Sequence, residues 1–247
     1  MGPAHNSIQG YVMKLARWGY IASAVLLAST LAFTSCDKNK ENKENKEENF
    51  SYTGKWATVK VMDKSIASDK EKKETIETLI SAIDLLFNSQ LQGKAAEYKD
   101  FVHKAITETV NFAQGIAITV SAENNTCNVT FTGLKDGANG TWKEENGKLV
   151  LQLNEIPQAT LDQLKAEADK DAKGKISYAF ASSISSKTLT LSKTDEGELK
   201  YKLEPAFVKE AFSAGVPSEK LQALMDILKT FTGPIGKPVD ITFHKVG

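Results

Sequence analysis

From Ile116 onward the apolar residues of this chain recur at every second position, and that period constrains its fold more than any other feature. Ile116, Ile118 and Val120 alternate with polar residues, and Cys127, Val129 and Phe131 do the same beyond the turn Glu123-Asn124-Asn125. Successive side chains of a strand point to opposite faces, so each run reads as a strand with one buried face. Gly140-Thr141-Trp142 and Leu149-Leu151-Leu153 form a second hairpin through Glu145-Asn146-Gly147, because Asn-Gly supplies the positive φ of a tight hairpin turn. Further strands are predicted at Ile176-Tyr178-Phe180, Leu189-Leu191, Leu199-Tyr201-Leu203 and Val239-Ile241-Phe243, with a first one from Gly54 to Met62.

Between these strands the period changes to that of a helix. Ser68-Asp69-Lys70-Glu71 is a capping box, and behind it Ile76, Leu79, Ile80, Ile83 and Leu86 share one face. A second helix presents Tyr98, Phe101, Val102, Ala105, Ile106 and Thr109, stopping near Gly115. A short helix is predicted from Thr160 to Asp171, with Thr160 and Gln163 as its capping pair. Pro205 suits the first turn of a helix ending at Gly215, and a last helix carries Leu221, Leu224, Met225, Leu228 and Phe231. The expectation is a mainly β chain with inserted helices (α+β): an antiparallel barrel of eight or nine strands, closed or nearly so. A flat sheet with helices on one face is the alternative.

The first 49 residues have a different character. Lys14-Leu15-Ala16-Arg17 is a positive segment, followed by an apolar run from Gly19 to Phe33. Such a run is shorter than the roughly 20 residues of a spanning helix and fits a signal peptide. Ala32-Phe33-Thr34-Ser35 then leads into Cys36, and polar chain follows at once. This resembles a bacterial lipoprotein cleavage box, in which the peptidase cuts before the cysteine and the cysteine is acylated; an ordinary secretory signal with a chance cysteine is the other reading. Residues 1–35 are therefore expected as signal peptide, with Met1 or Met13 as the start. Residues 36–49 would form a lipidated terminus and a charged tether of Lys, Glu and Asn, and 50–247 the folded domain. If Cys36 is acylated, Cys127 has no partner for a disulfide, and its phase with Val129 and Phe131 makes it a small buried hydrophobe.

Gly54-Lys55-Trp56, the two helices after it, Gly140-Thr141-Trp142-Lys143 and Lys148-Leu149-Val150-Leu151 together resemble the lipocalin-like lipoproteins of Bacteroidetes, a family largely of unassigned function. The resemblance runs from about Tyr52 to Leu153, and beyond that rests on strand rhythm. It implies a lipocalin-like barrel in the cell envelope, anchored to the outer membrane through the N-terminal lipid, on either the periplasmic or the surface face. It also implies a small apolar or amphipathic ligand, with Trp56, Trp142, Tyr178 and Tyr201 as candidate contacts. The helices after the first strand would then plug or cover the mouth of the barrel.

The remaining chemistry is sparse. Formal net charge is +0, and Lys14 and Arg17 are the only charges before Cys36, so the rest carries 29 basic against 31 acidic residues. No basic footprint for nucleic acid exists. Beyond the signal segment only His103 and His244 remain, far apart and both expected to face solvent; no metal site, cofactor motif or nucleophile elbow is present. No enzyme is expected. The function read from sequence is ligand binding in an envelope-anchored barrel, with a filled barrel serving as a structural or protein-interaction module as the alternative. Oligomeric state and ligand identity are open.

Overall fold

The computed structural model describes residues 50–90, 95–213, 216, 220 and 238–246, all within the compact unit that spans residues 50–247. The element order is β1 (Gly54–Val61), β2 (Lys64–Ser65), α1 (Asp69–Gln90), α2 (Ala95–Gln114), β3 (Ala117–Val120), a 3-10 turn (Glu123–Asn125), β4 (Thr126–Phe131), β5 (Leu134–Glu145), β6 (Lys148–Leu153), α3 (Gln158–Ala168), α4 (Ala172–Ile184), β7 (Thr188–Lys193), β8 (Leu199–Leu203), α5 (Pro205–Ser213) and β9 (Val239–Val246).

Every pairing is antiparallel and, β2 apart, each strand pairs with the next. β9 returns to pair with β1 from Lys55↔Val246 to Val61↔Ile241, so eight strands close an up-and-down, lipocalin-like barrel and β2 is a short addition to β1. Closure leaves those strands no open edge. The register shift between Thr58 and Lys60 leaves Val59 as the extra residue of a bulge, which sharpens strand twist at the seam where the sheet meets itself. Two hairpins turn on paired positive φ values: Met62 and Asp63 (51° and 59°) between β1 and β2, and Asn146 and Gly147 (53° and 70°) between β5 and β6.

The connections β1–β3, β6–β7 and β8–β9 all leave from one end of the barrel, so the helices gather there. The other end carries the turns at Glu123–Asn125, Asn146–Gly147 and Thr194–Gly197 together with the N-terminal lead-in to β1. The capping box of α1 is formed: Ser68 N–H donates to Glu71 Oε2 at 3.0 Å, and Glu71 N–H to Ser68 Oγ at 3.3 Å. The first helical face is only half-buried at Ile76, Leu79, Ile80 and Ile83, whereas α2 buries Tyr98, Val102, Ala105, Ile106, Val110 and Phe112.

Two expectations are corrected. Ile176, Tyr178 and Phe180 lie in helix α4 and not in a strand, so β6 pairs directly with β7. Positions i and i+4 share a face in a helix just as i, i+2 and i+4 do in a strand, and Ala172, Ile176, Phe180 and Ile184 complete the helical stripe. Asp171 caps it by accepting from Gly174 N–H at 2.7 Å. The helix expected from Thr160 starts earlier, at Gln158, with Pro157 in the capping position and no side-chain cap. Pro157 O accepts instead from the N–H groups of Thr160 and Leu161. The helix from Pro205 forms as expected; its end at Gly215 and the last helix around Leu221–Phe231 lie outside the described residues.

Candidate functional site

In an antiparallel sheet, directly opposed residues share a face. The register therefore lines the barrel interior with Trp56, Ile118, Val129 and Ala138 in one row, Trp142, Leu151 and Leu189 in another, and Thr58, Phe243 and Leu199 in a third. Trp56, Leu149, Leu151, Leu191, Leu199, Ile241 and Phe243 are at most 1% exposed, so the space between the strands is occupied by the chain's own side chains.

Aromatic side chains gather at both ends. At the helical end Phe112 of α2, Phe131 of β4, Phe180 of α4 and Phe207 of α5 meet with ring centroids 5.0–6.1 Å apart, most of them edge to face. The opposite end is crossed by the lead-in. Tyr52 is buried and donates its hydroxyl to Gly147 O at 2.8 Å, on the far side of the mouth. Phe50 stacks edge-on against Tyr52 at 4.9 Å and lies under the Lys193 ammonium, 4.2 Å from its ring centre.

The four residues expected to contact a ligand do not converge. Trp56 has no exposed surface and donates Nε1–H to Tyr52 O at 2.8 Å. Trp142 is half-buried near the tight-turn end, and its Nε1–H goes to Ser121 O at 2.7 Å. Tyr178 stands half-buried on α4, away from the strand position expected for it. Tyr201 does face inward, in register with Ile241 and Val61, and is only half-buried. Burial first, then the nearby Glu204 carboxylate, pushes its phenol up to about 12. Cys36 lies outside the described residues. Cys127 is buried, and burial pushes its thiol up to about 11, a value that suppresses the nucleophilic thiolate.

Sequence reasoning missed a polar assembly, a hollow of about 400 Å³ on the outer face of the barrel. It is lined by Lys60, Asp63, Thr194, Asp195, Glu196, Glu198, Lys200 and Thr242. Lys60 Nζ meets Glu198 Oε2 at 2.7 Å, while Lys200 Nζ reaches Asp63 at 2.9 Å and Asp240 at 3.3 Å. The hydrogen bond to Asp63 raises the Lys200 ammonium above its ordinary value against the opposing effect of burial. Lys60 and Lys200 flank Thr242 in register, and Thr242 is only 2% exposed although it faces outward. The Lys60–Glu198 and Lys200–Asp63 pairs thus straddle β9 at the closing seam. Their residues come from positions 60 to 242, a separation that no local motif can express.

The histidines divide. His244 is exposed, 3.8 Å from Glu198, as its outward phase predicts. His103 is half-buried, not solvated: its Nε2 sits 2.8 Å from Asp84 of α1, whose other oxygen takes Lys99 at 2.9 Å. Burial works against the Asp84 charge, and the bonds from Lys99 and His103 outweigh it, holding the carboxyl below its ordinary value. This trio ties α1 to α2. Among the described residues no group of three or more His, Cys, Asp or Glu side chains has metal-binding geometry. Compared with protein-family models, with curated proteins and with solved structures, the chain matches none of them.

Proposed function

We propose that this chain is a non-enzymatic lipoprotein of the cell envelope, acylated at Cys36 and tethered to the outer membrane, whose barrel is a filled scaffold that meets its partners through its outer surface. The address rests on the basic segment Lys14–Arg17, the apolar run to Phe33, the small residues before Cys36 and the charged stretch after it. The observation that carries the rest is the interior: among the described residues the inward-facing leucines and aromatics fill the barrel, and the described hollow lies outside it. A small-molecule site is ordinarily an apolar concavity of about 300–1,000 Å³ with a few placed polar groups. The outer hollow has the size but is lined by charged and hydroxyl side chains, with Lys60 paired to Glu198 and Lys200 to Asp63.

One observation favours a second reading, a carrier of a small apolar or amphipathic ligand. Tyr201, Val239 and Met62 sit at the helical end of β8, β9 and β1, pack against the core and are only half-buried, which leaves an inward-facing aromatic within reach of solvent. A titration separates the two. Tryptophan emission of the protein should ignore a panel of fatty acids, sterols and isoprenoids under the filled-scaffold reading. A saturable shift lost in Tyr201→Ala would establish the carrier. The address is tested apart from either: a fatty-acid analogue should label the wild type and not Cys36→Ala, and equal labelling of both would refute acylation.

A further inference from the structure

Residues 50–53 enter no ladder, since strand pairing begins at Gly54. Their fixed contacts run through side chains or to side chains: the Tyr52 hydroxyl to Gly147 O, the Trp56 indole N–H to Tyr52 O, and Lys245 Nζ to Ser51 O at 3.1 Å. The Phe50 ring lies beneath Lys193, 4.9 Å from the Tyr52 ring and 5.9 Å from that of Trp56, and a Cβ built on Gly197 would touch it at 3.7 Å. The segment thus runs from β1 across the mouth to the β5–β6 and β7–β8 turns. It closes the tight-turn end without belonging to the sheet.

The joint between this segment and β1 is Gly54, at φ 124°, a conformation that side chains other than glycine rarely adopt. A Cβ there would also meet Lys245 Cε at 2.8 Å. Glycine therefore allows the lead-in to swing while β1 stays paired on both sides. The chain N-terminal to the segment is the charged stretch Asp37–Asn49, so any pull on that stretch reaches residues 50–53 before it reaches the barrel. Tyr52 is buried, but residues 50–53 make no ladder bonds, and a segment outside the sheet can open below the global unfolding free energy.

From this we infer that Phe50–Thr53 is a releasable strap, hinged at Gly54, which closes the tight-turn end of the barrel and bares the indole of Trp56 when it lifts. The strap itself supplies the acceptor for the Trp56 indole N–H, so exchange of that one hydrogen reports lifting directly. Backbone amides of Ile118, Val129 and Leu151, held in the barrel ladders, report unfolding of the barrel.

Hydrogen exchange of the full chain, followed by NMR, tests the inference with both sets of protons in one sample. The wild-type Trp56 indole should exchange faster than the ladder amides after correction for intrinsic rates. Tyr52→Phe, which deletes only the hydroxyl that reaches Gly147 O, should raise the indole opening about five-fold, the effect of one ordinary hydrogen bond, and leave the ladder amides unchanged. Phe50→Ala, which removes the ring under Lys193 and leaves Tyr52 in place, should act in the same direction. An indole as slow as the ladder amides in the wild type would overturn the strap. So would either variant speeding indole and ladder amides in step, because the lead-in would then open only when the whole barrel does.

Discussion

Replacing Phe180 with alanine tests the helical stopper and the corrected assignment of α4 together. Phe180 is 2% exposed and faces Phe131, Phe112 and Phe207 at 5.0, 5.3 and 5.4 Å, each pair T-shaped. Removing a buried phenylalanine side chain costs about 3–5 kcal/mol. Edge-to-face pairs of this kind are worth roughly 0.5–1.5 kcal/mol each beyond burial, which places Phe180→Ala in the upper half of that range. At about 2–4 °C per kcal/mol for a domain of this size, the melting midpoint should fall by roughly 8–20 °C. Tyr178, two residues earlier on the same helix, is half-buried, and Tyr178→Ala should cost only about 1 kcal/mol. Urea unfolding followed by tryptophan emission measures both, with an unchanged denaturant slope as the condition for comparing midpoints. In a strand, Tyr178 and Phe180 would share a face and lose similar amounts. Equal costs would refute the helix, and a cost near 1 kcal/mol at Phe180 would refute the aromatic stopper.

Further perturbations probe the interior and its ionisable groups. Leu151→Ala should cost about 2–5 kcal/mol and Gln152→Ala far less, since Leu151 is fully buried and Gln152 exposed; the reverse order in a denaturation series would shift the β6 register by one. Cys127, with its thiol near 11, should ignore a thiol-specific dye at pH 8 in the native protein and react once urea unfolds it; fast native labelling would contradict its burial. Tyr201 titrates near 12 when folded and near 10 when unfolded, so the unfolded chain loses this proton first and stability should decline from pH 10 toward 12. Thermal melts across that range should show a smaller decline in Tyr201→Phe, and equal slopes would remove Tyr201 as a cause.

Strands were legible where large apolar residues alternate with polar ones. β3, β4, β6, β7, β8 and β9 all carry that pattern, because their inner faces fill the barrel. The first half of β5 was silent: Lys135 to Asn139 offers one apolar residue, Ala138, where the opposing Val129 needs only a small neighbour. At Ile176 and Phe180, four positions apart, the two periods coincide, and the cap at Asp171 and the continuation to Ile184 break the tie. The strap was hidden because Phe50 and Tyr52 are too few to show any period, and their partners at Gly147 and Lys193 lie far along the chain. For the outer charge assembly the reason is topological. Lys60, Glu198 and Lys200 become neighbours only when β9 closes against β1. Sequence therefore carried the local periods, and closure created the polar surface.

The filled interior is the account's central claim, and methyl NMR of the full chain tests it most directly. The side chains to watch are Leu149, Leu151, Leu191, Leu199 and Ile241, all without exposed surface inside the barrel. Titration with long-chain fatty acids, sterols and isoprenoids should leave their methyl resonances in place, because no room exists for a guest among them. Saturable shifts of several of these methyls at one stoichiometry would contradict the account and make the barrel a container.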